Sequence, residues 1–332
     1  MKKFMVVSGF LGSGKTSIMM AVTNAMNASG RSASELTGDC ICYQTDNLVD
    51  RLHNLFDGEN AELVMSDIPG FGVGALEHVY HRLHDRGEYF CELAPFAVVT
   101  EARVLHQLRR KNSYLPEELN YILSAQLIEA DLIILNKCDL MTDEEINECI
   151  KILDEVAAGT PVICVSALTG AGIGDLIEYI SGHNASMKAP DIGYGGEAFS
   201  SAMGKISEYY NQFYVKVCCN TFNANDYLTS LANMIKDSLK DEGFDVPHLK
   251  LFAQGDEGDF CKIDLLGIGQ PVNITRAMSS PDREDLPVIL NASAVCPAQN
   301  LERIIGSAIA ETSGKFNLSV TVFFKQCFGM GK

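Results

Sequence analysis

Gly9-Phe10-Leu11-Gly12-Ser13-Gly14-Lys15-Thr16 decides how the rest of the chain is read. It fits G-x-x-x-x-G-K-[ST], the pattern of a phosphate-binding loop. Lys3 to Ser8, before it, is a short apolar run that suits a buried parallel strand, and Thr16 to Ala28, after it, is compatible with one long helix. Glycines let the backbone curl until several N–H groups point at one spot, and the helix adds the positive end of its dipole. In such a loop Gly12, Ser13 and Gly14 form the cradle, Lys15 contacts the β- and γ-phosphates, the Thr16 hydroxyl ligates Mg²⁺ and Ser17 reaches the α-phosphate. A glycine-rich turn that matches by chance lacks the strand, the helix and the complete Gly-Lys-Thr ending.

Further along, three more motifs fall in the order a nucleotide site needs. Ala61 to Ser66 reads as a strand ending in Asp67-Ile68-Pro69-Gly70, the D-x-x-G pattern in which the Asp holds Mg²⁺ through water and the Gly70 N–H senses the γ-phosphate. Asp131 to Leu135 is a strand feeding Asn136-Lys137-Cys138-Asp139. This is the N-K-x-D pattern: the Asp139 carboxylate accepts two hydrogen bonds that guanine offers and adenine does not, and the Lys137 stem packs on the base. Pro161 to Val165 is a strand ending in Ser166-Ala167-Leu168, where a backbone N–H meets the guanine oxygen. Each motif is weak alone. Together, at strand ends, they define the ligand crevice of an open parallel sheet.

Between the motifs the periodicity predicts helices at Thr45 to Phe56, Ala75 to Arg86, Pro116 to Glu129, Thr142 to Ala157 and Ile173 to Ser181, and a strand at Pro95 to Thr100. Thr142 with Glu145 three residues on forms a capping box. No apolar strand is visible between Asn27 and Leu36, where such domains place a second strand and a switch loop. Either the element is lacking, or a segment is absent from the sequence.

Beyond residue 182 the rhythm changes. His183 to Gly204 is rich in Gly, Ala and Ser and reads as a linker. Strands then follow at Gln212 to Thr221, Pro247 to Gln254, Phe260 to Ile268, Leu286 to Val295 and Phe316 to Gln326, with helices at Asp226 to Lys240 and Gln299 to Ser313. The expectation is a P-loop α/β domain over 1–182 with a mostly parallel sheet, a linker over 183–204, and a smaller α+β domain over 205–332, ferredoxin-like with an extra strand.

Composition narrows the function classes. A formal charge of −17 over 332 residues disfavours nucleic acid and anionic membranes as main partners. No run approaches the length of a membrane span, and the chain enters its first strand at once, so a cytoplasmic protein without a leader is expected. Eleven cysteines, an odd number, are read as mostly reduced; Cys164, Cys218 and Cys219 lie in apolar, strand-like runs and read as core.

The first 182 residues resemble the CobW branch of the P-loop GTPases, relatives of the nickel-insertion GTPases of urease and hydrogenase maturation. The residues behind this are Gly9 to Thr16, against the family's G-F-L-G-[AS]-G-K-T, and Glu35-Leu36-Thr37-Gly38-Asp39-Cys40-Ile41-Cys42, against E-L-x-x-G-C-I-C-C. Val98-Val99-Thr100-Glu101-Ala102 stands where the family reads V-V-D-A, and Gln126 through Asp139 matches closely. The chain departs from the pattern at Tyr43, which replaces the third cysteine, and at Asp67 to Gly70, which replaces an E-T-T-G-like motif. The resemblance implies GTP/GDP and Mg²⁺ as cofactors, Lys15, Thr16 and Asp67 as the catalytic set, and a nucleotide-switched metallochaperone or cobalamin-related maturation factor that hydrolyses GTP slowly. It also implies a client metallo- or corrinoid enzyme and pairing of two copies across nucleotide. The alternative is a regulatory GTP-binding module with no metal role.

Two transition-metal sites are weighed. Cys40 and Cys42 point to one side of an extended chain and suit Zn²⁺ or Co²⁺ as half of a tetrahedral set, which Asp39 or Glu35 would extend; the plainer reading is a pair of reduced cysteines in a loop. His78, His81 and His84 recur every three residues on a predicted helix, with Glu77 four before His81; the plainer reading, a solvated polar face, is the stronger. Asp256, Glu257 and Asp259 read most simply as a solvated hairpin turn.

Overall fold

The computed structural model describes residues 2–10, 12–36, 45–68, 70, 72–85, 90–109, 117–188, 190–193, 195–217, 220–265 and 267–330. Packing divides the chain into two units whose boundary in the sequence falls between Phe199 and Ser200, within a helix that starts in the first unit and ends in the second.

The first unit is built on β1 (Lys3–Ser8), every residue of which is buried. Its side chains alternate between two cores: Phe4 and Val6 join Leu48, Phe56, Leu127 and Ile152 on one side, and Met5 and Val7 join Ile18, Val22, Ile173 and Leu176 on the other. That period of two with both faces apolar is the signature of a sheet covered by helices on both sides. The elements that follow are α1 (Lys15–Ala28), β2 (Ala33–Glu35), α2 (Thr45–His53), β3 (Leu63–Asp67), α3 (Arg82–Asp85), β4 (Glu92–Leu93) and β5 (Ala97–Thr100). Then come α4 (Ala102–Arg109), α5 (Leu119–Glu129), β6 (Leu132–Leu135), α6 (Asp143–Val156), β7 (Val162–Cys164), α7 (Ile173–Gly182) and α8 (Glu197–Met203). The sheet order is β2-β3-β1-β5-β6-β7, with β4 paired to β1 and every ladder parallel.

Several expectations change in detail. A second strand is present: β2 runs parallel to β3, with Ala33 opposite Leu63 and Glu35 opposite Met65. Its three residues, Ala-Ser-Glu, are too short and too polar to register as an apolar run. A π-helical stretch, Asn54–Gly58, continues α2, and another, Leu76–His81, precedes α3, so neither is one uniform α-helix. The stretch read as a linker carries α8. The capping box on α6 is formed: the Glu145 N–H donates to Thr142 Oγ1 at 3.3 Å and the Thr142 N–H to Glu145 Oε2 at 2.8 Å.

The second unit holds β8 (Ser207–Val217), β9 (Phe222–Asn223), α9 (Ala224–Asp241), β10 (Asp245–Gln254), β11 (Phe260–Leu265), β12 (Asn273–Arg276), β13 (Asp282–Arg283), β14 (Asp285–Val295), α10 (Ala298–Lys315) and β15 (Leu318–Gly329). Its sheet order is β12-β11-β10-β14-β8-β15 and every ladder is antiparallel. Four of these strands with the two helices make the expected ferredoxin-like layer. The insertion at its edge is two strands, β11 and β12, rather than one. The helices cover one face, where Leu228, Leu231, Ile235, Ile304 and Ile305 pack on Phe213, Val215, Leu249 and Leu290.

Candidate nucleotide site

Parallel strands end on one edge of the first sheet, and the motif residues collect there. β1 lies between β3 and β5, with Val7 opposite both Asp67 and Ala97. The chain leaves β1 at Gly9, whose φ of +130° suits only glycine. A Cβ there would also sit 2.1 Å from the Val99 carbonyl oxygen. The loop closes on itself around Lys15, whose Nζ donates to the Gly9 carbonyl at 2.7 Å and the Phe10 carbonyl at 3.4 Å. Gly14 caps α1 in the left-handed conformation, φ 97°, with no side-chain hydrogen bond to the first turn. The first-turn N–H groups, with Thr16 and Ser17 exposed beside them, therefore form an open anion-binding helix end. Ser13 is fully buried, and its Oγ has no hydrogen-bond partner among the described residues.

The structure stitches the base motif onto this loop. Asn136 is 2 % exposed; its Nδ2 donates to the Ser13 carbonyl at 2.9 Å and its Oδ1 accepts from the Ala167 N–H at 3.1 Å. It packs so closely that a Cβ on Gly14 would meet Asn136 Nδ2 at 2.3 Å. Lys137 adopts the left-handed conformation, φ 65°, uncommon for a residue with a Cβ and costing roughly 1–2 kcal/mol. That conformation aims its Nζ at the Gly12 carbonyl, 2.9 Å away, and at Glu101 Oε2, 2.6 Å away. Asp139 and Leu168 are exposed, whereas Ser166 is buried, with its Oγ accepting from the Thr169 N–H at 3.1 Å. Because Asn136 engages the Ala167 N–H, that group is not the one left for a base oxygen.

Asp67 is half-buried at the end of β3, where the Ile68 N–H donates to the Val7 carbonyl at 3.1 Å. Glu35, at the end of β2, has its carboxyl held above the usual range, first by burial and also by the charge of Asp67. Gly70 is buried too, held by a group the sequence did not single out. Gln126 Nε2 on α5 donates to the Gly70 carbonyl at 3.1 Å and the Gly72 carbonyl at 2.9 Å. One turn on, the Glu129 carboxylate accepts from the Gly74 N–H at 2.8 Å and the Leu76 N–H at 2.7 Å. Burial pushes the Glu129 carboxyl upward against those two hydrogen bonds. Glu101 directly follows the end of β5, a position that could have drawn notice, whereas Gln126 and Glu129 sit on α5 ahead of β6, where no sequence signal marks them.

The transition-metal candidates fare differently. Cys40 and Cys42, with Asp39, lie outside the described residues, as do Cys218 and Cys219. The three histidines do not form a donor set: among the described residues no group of three His, Cys, Asp or Glu could hold a metal ion. The wider π-helical turn over Leu76–His81 explains this, since a spacing of three then no longer returns to one face. His81 Nε2 lies 3.4 Å from the Met187 carbonyl and His84 is exposed. The described cysteines carry no disulfide, and burial pushes the thiols of Cys91, Cys138 and Cys296 up to about 12 and that of Cys149 to about 11.

A glycine-rich loop between β1 and α1, an aspartate at the end of the adjacent strand β3 and an Asn-Lys pair locked against the loop define a P-loop nucleotide-binding domain. Residues 23–164 match the family described as CobW/HypB/UreG, nucleotide-binding domain. The resemblance to CobW-like P-loop GTPases drawn from the motifs therefore holds for this unit. The match begins inside α1, and the phosphate loop before it stands on its own motif and geometry. No curated protein matches the chain. Among solved structures, a Zn(II)-bound triple mutant of the YjiA GTPase aligns at 15 % identity and a TM-score of 0.40, covering 94 % of this chain and 98 % of its own. Zn(II)-bound YjiA from E. coli aligns at 13 % and 0.37, covering 92 % and 98 %. The hydrogenase maturation factor HypB from Archaeoglobus fulgidus aligns at 15 % and 0.35, covering 55 % and 89 %. No described helix is long and apolar enough to cross a membrane.

Proposed function

We propose that the first unit binds GTP with Mg²⁺, hydrolyses it slowly, and uses the two nucleotide states to handle a metal or corrinoid cofactor for a client enzyme. One observation carries the nucleotide part: Asn136 and Lys137 bond to the Ser13 and Gly12 carbonyls of the phosphate loop, so a base read by Asp139 is held at a fixed distance from the phosphates. The donor set fits Mg²⁺, because Thr16 and Asp67 offer a hydroxyl and a carboxylate, the hard oxygen ligands that ion takes. The buried Ser13 Oγ inside the cradle, without a partner among the described residues, is consistent with a polar ligand there. When bound, the ion supplies charge to the β- and γ-phosphate oxygens. Lys15 places a second positive charge at the transferring group, and the Gly70 N–H reports the γ-phosphate. Slow turnover is expected because, among the described residues, no water-positioning side chain or arginine finger is assignable at the site. The test is calorimetry with Mg²⁺ and either GTP or ATP; equal affinities would refute guanine reading.

The metal-handling part rests on the family match and on Cys40 and Cys42. Zinc or cobalt titrated against protein loaded with GDP or a slow GTP analogue should give two affinities that differ by about 5- to 150-fold, and metal should change GTP affinity by the same factor. Cys40→Ser/Cys42→Ser should erase that difference and leave metal-free GTP affinity intact. Equal metal binding in both states would move the regulatory-module reading ahead.

A further inference from the structure

The loop that follows Asp67 is tied to α5 at both of its ends. Gln126 and Glu129 lie three apart on α5 and so share one face. Gln126, 2 % exposed, holds the Gly70 and Gly72 carbonyls; Glu129, 4 % exposed, holds the Gly74 and Leu76 N–H groups. No cation contacts Glu129 among the described residues; its charge rests on two backbone donors where the Leu76–His81 helical turn begins. That turn is pinned again further on. The Val6 N–H of β1 donates to the hydroxyl of fully buried Tyr80 at 2.9 Å, at the gap that β4 and β5 leave along β1. The helix after the D-x-x-G motif is thus anchored to both α5 and β1.

We infer that Gln126 and Glu129 are positioning residues that hold the Gly70 segment where its N–H can meet a γ-phosphate, and so set the preference for nucleoside triphosphate over diphosphate. This rests on the proposed GTP site. The Gly70 carbonyl and its N–H flank one Cα, so fixing the carbonyl restricts where the N–H can point. A diphosphate never reaches that N–H, and its affinity should not depend on the clamp. Both tethers also sit on the helix that leads into β6 and Asn136. The helix whose last turns tether the phosphate sensor therefore leads, through β6, to the base reader.

The test is a set of affinities for GDP and a slowly hydrolysed GTP analogue, with Mg²⁺, on the full chain. Gln126→Met keeps the shape and removes the donor. It should weaken the triphosphate roughly five- to tenfold, the value of one hydrogen bond, and leave GDP within about twofold. Glu129→Gln, which retains one acceptor and turns an NH₂ toward the second N–H, should shift the ratio in the same direction. Equal losses for both nucleotides, or an unchanged ratio in both variants, overturns the clamp while leaving GTP binding itself intact. Failure of the wild type to prefer GTP over ATP would instead sink the nucleotide reading. Hydrogen exchange on the wild type removes dependence on variant folding. The Gly74 and Leu76 amides should be protected with either nucleotide, and the Gly70 amide should gain protection only with the triphosphate analogue. Fast exchange at Gly74 and Leu76 overturns the proposal.

Discussion

Both units are a sheet with helices packed on it, yet they differ in where the strands end. In the first unit every strand of the sheet runs the same way, so Ser8, Glu35, Asp67, Thr100, Leu135 and Cys164 all stop at one edge. The loops that follow must meet there. Residues more than 120 positions apart, such as Ser13 and Asn136, become hydrogen-bonded neighbours. In the second unit neighbouring strands alternate in direction and no shared edge exists. Its unusual residues lie on the open sheet face instead, where the Tyr210 and Phe324 rings stand 5.7 Å apart and those of Tyr214 and Phe323 6.4 Å. Parallel topology gathers chemistry that a motif search can read. Antiparallel topology spreads it across a surface.

The contrast is broken most directly at Lys15. If the parallel edge is the reactive one, Lys15→Ala should lower GTP turnover at least about 10²- to 10³-fold by removing charge from the transferring phosphate. Steady-state hydrolysis measures this, and a variant that keeps more than a tenth of the rate would place the chemistry elsewhere. Next in size is Asp139→Asn. Guanine affinity should fall by at least about 2–3 kcal/mol, because the amide puts a donor where the guanine N–H groups need an acceptor, and preference should move toward xanthine nucleotides. Competition binding with GTP and XTP reads both effects.

Sequence legibility followed the same division. The strands of the first sheet and the crevice at their ends were readable because apolar runs and glycine spacing are local signals. β2 and β4 were not, since Ala33-Ser34-Glu35 and Glu92-Leu93 join the sheet through backbone pairing, without an apolar run. The clamp on the Gly70 segment was also hidden. Gln126 and Glu129 look like ordinary polar positions on a helix, and only the fold shows that they turn inward with their polar groups satisfied by backbone 50 or more residues away. The histidine trio reads in the main as a solvated polar face, and the π-helical turn that breaks its spacing of three cannot be seen in the sequence. In the second unit both helices and the main strands were legible from periodicity, whereas the open face was not, since no pattern marks which exposed aromatics gather.

A third experiment sharpens the comparison on stability. Gly9→Ala should destabilise the first unit by about 3 kcal/mol, from the strained φ together with a methyl forced onto the Val99 carbonyl. Urea unfolding with signals from each unit should show the loss in the first unit alone. A shift of under about 1 kcal/mol would mean that β1 and β5 separate freely at the point where the phosphate loop begins.

The smallest effect belongs to the open face of the second unit, and it is a pH response. Glu208 on β8 stands opposite Ser293 of β14 and Phe328 of β15. The Ser293 hydroxyl donates to its carboxylate, with oxygen distances of 2.7 and 2.8 Å. Burial pushes the carboxyl from 4.5 up to about 7, against the lowering effect of that one hydrogen bond. The folded unit therefore binds this proton more tightly than the unfolded chain does. The resulting stabilisation is fully present below pH 4.5 and is lost as pH rises through about 7. At 1.36 kcal/mol for each tenfold change in proton affinity the upper bound is about 3 kcal/mol, and partial exposure of the residue brings the expected effect to about 1–2 kcal/mol. Glu208→Gln keeps a group that can bond to Ser293 and removes the titration. Exchange of second-unit amides at pH 5 and pH 8 should show a stability difference in the wild type, largely absent in the variant. The nucleotide affinity of the first unit should be the same in both proteins. A variant whose stability still falls between the two pH values would assign the response to other groups, and a change in nucleotide affinity would break the separation between a reactive edge and a spread surface.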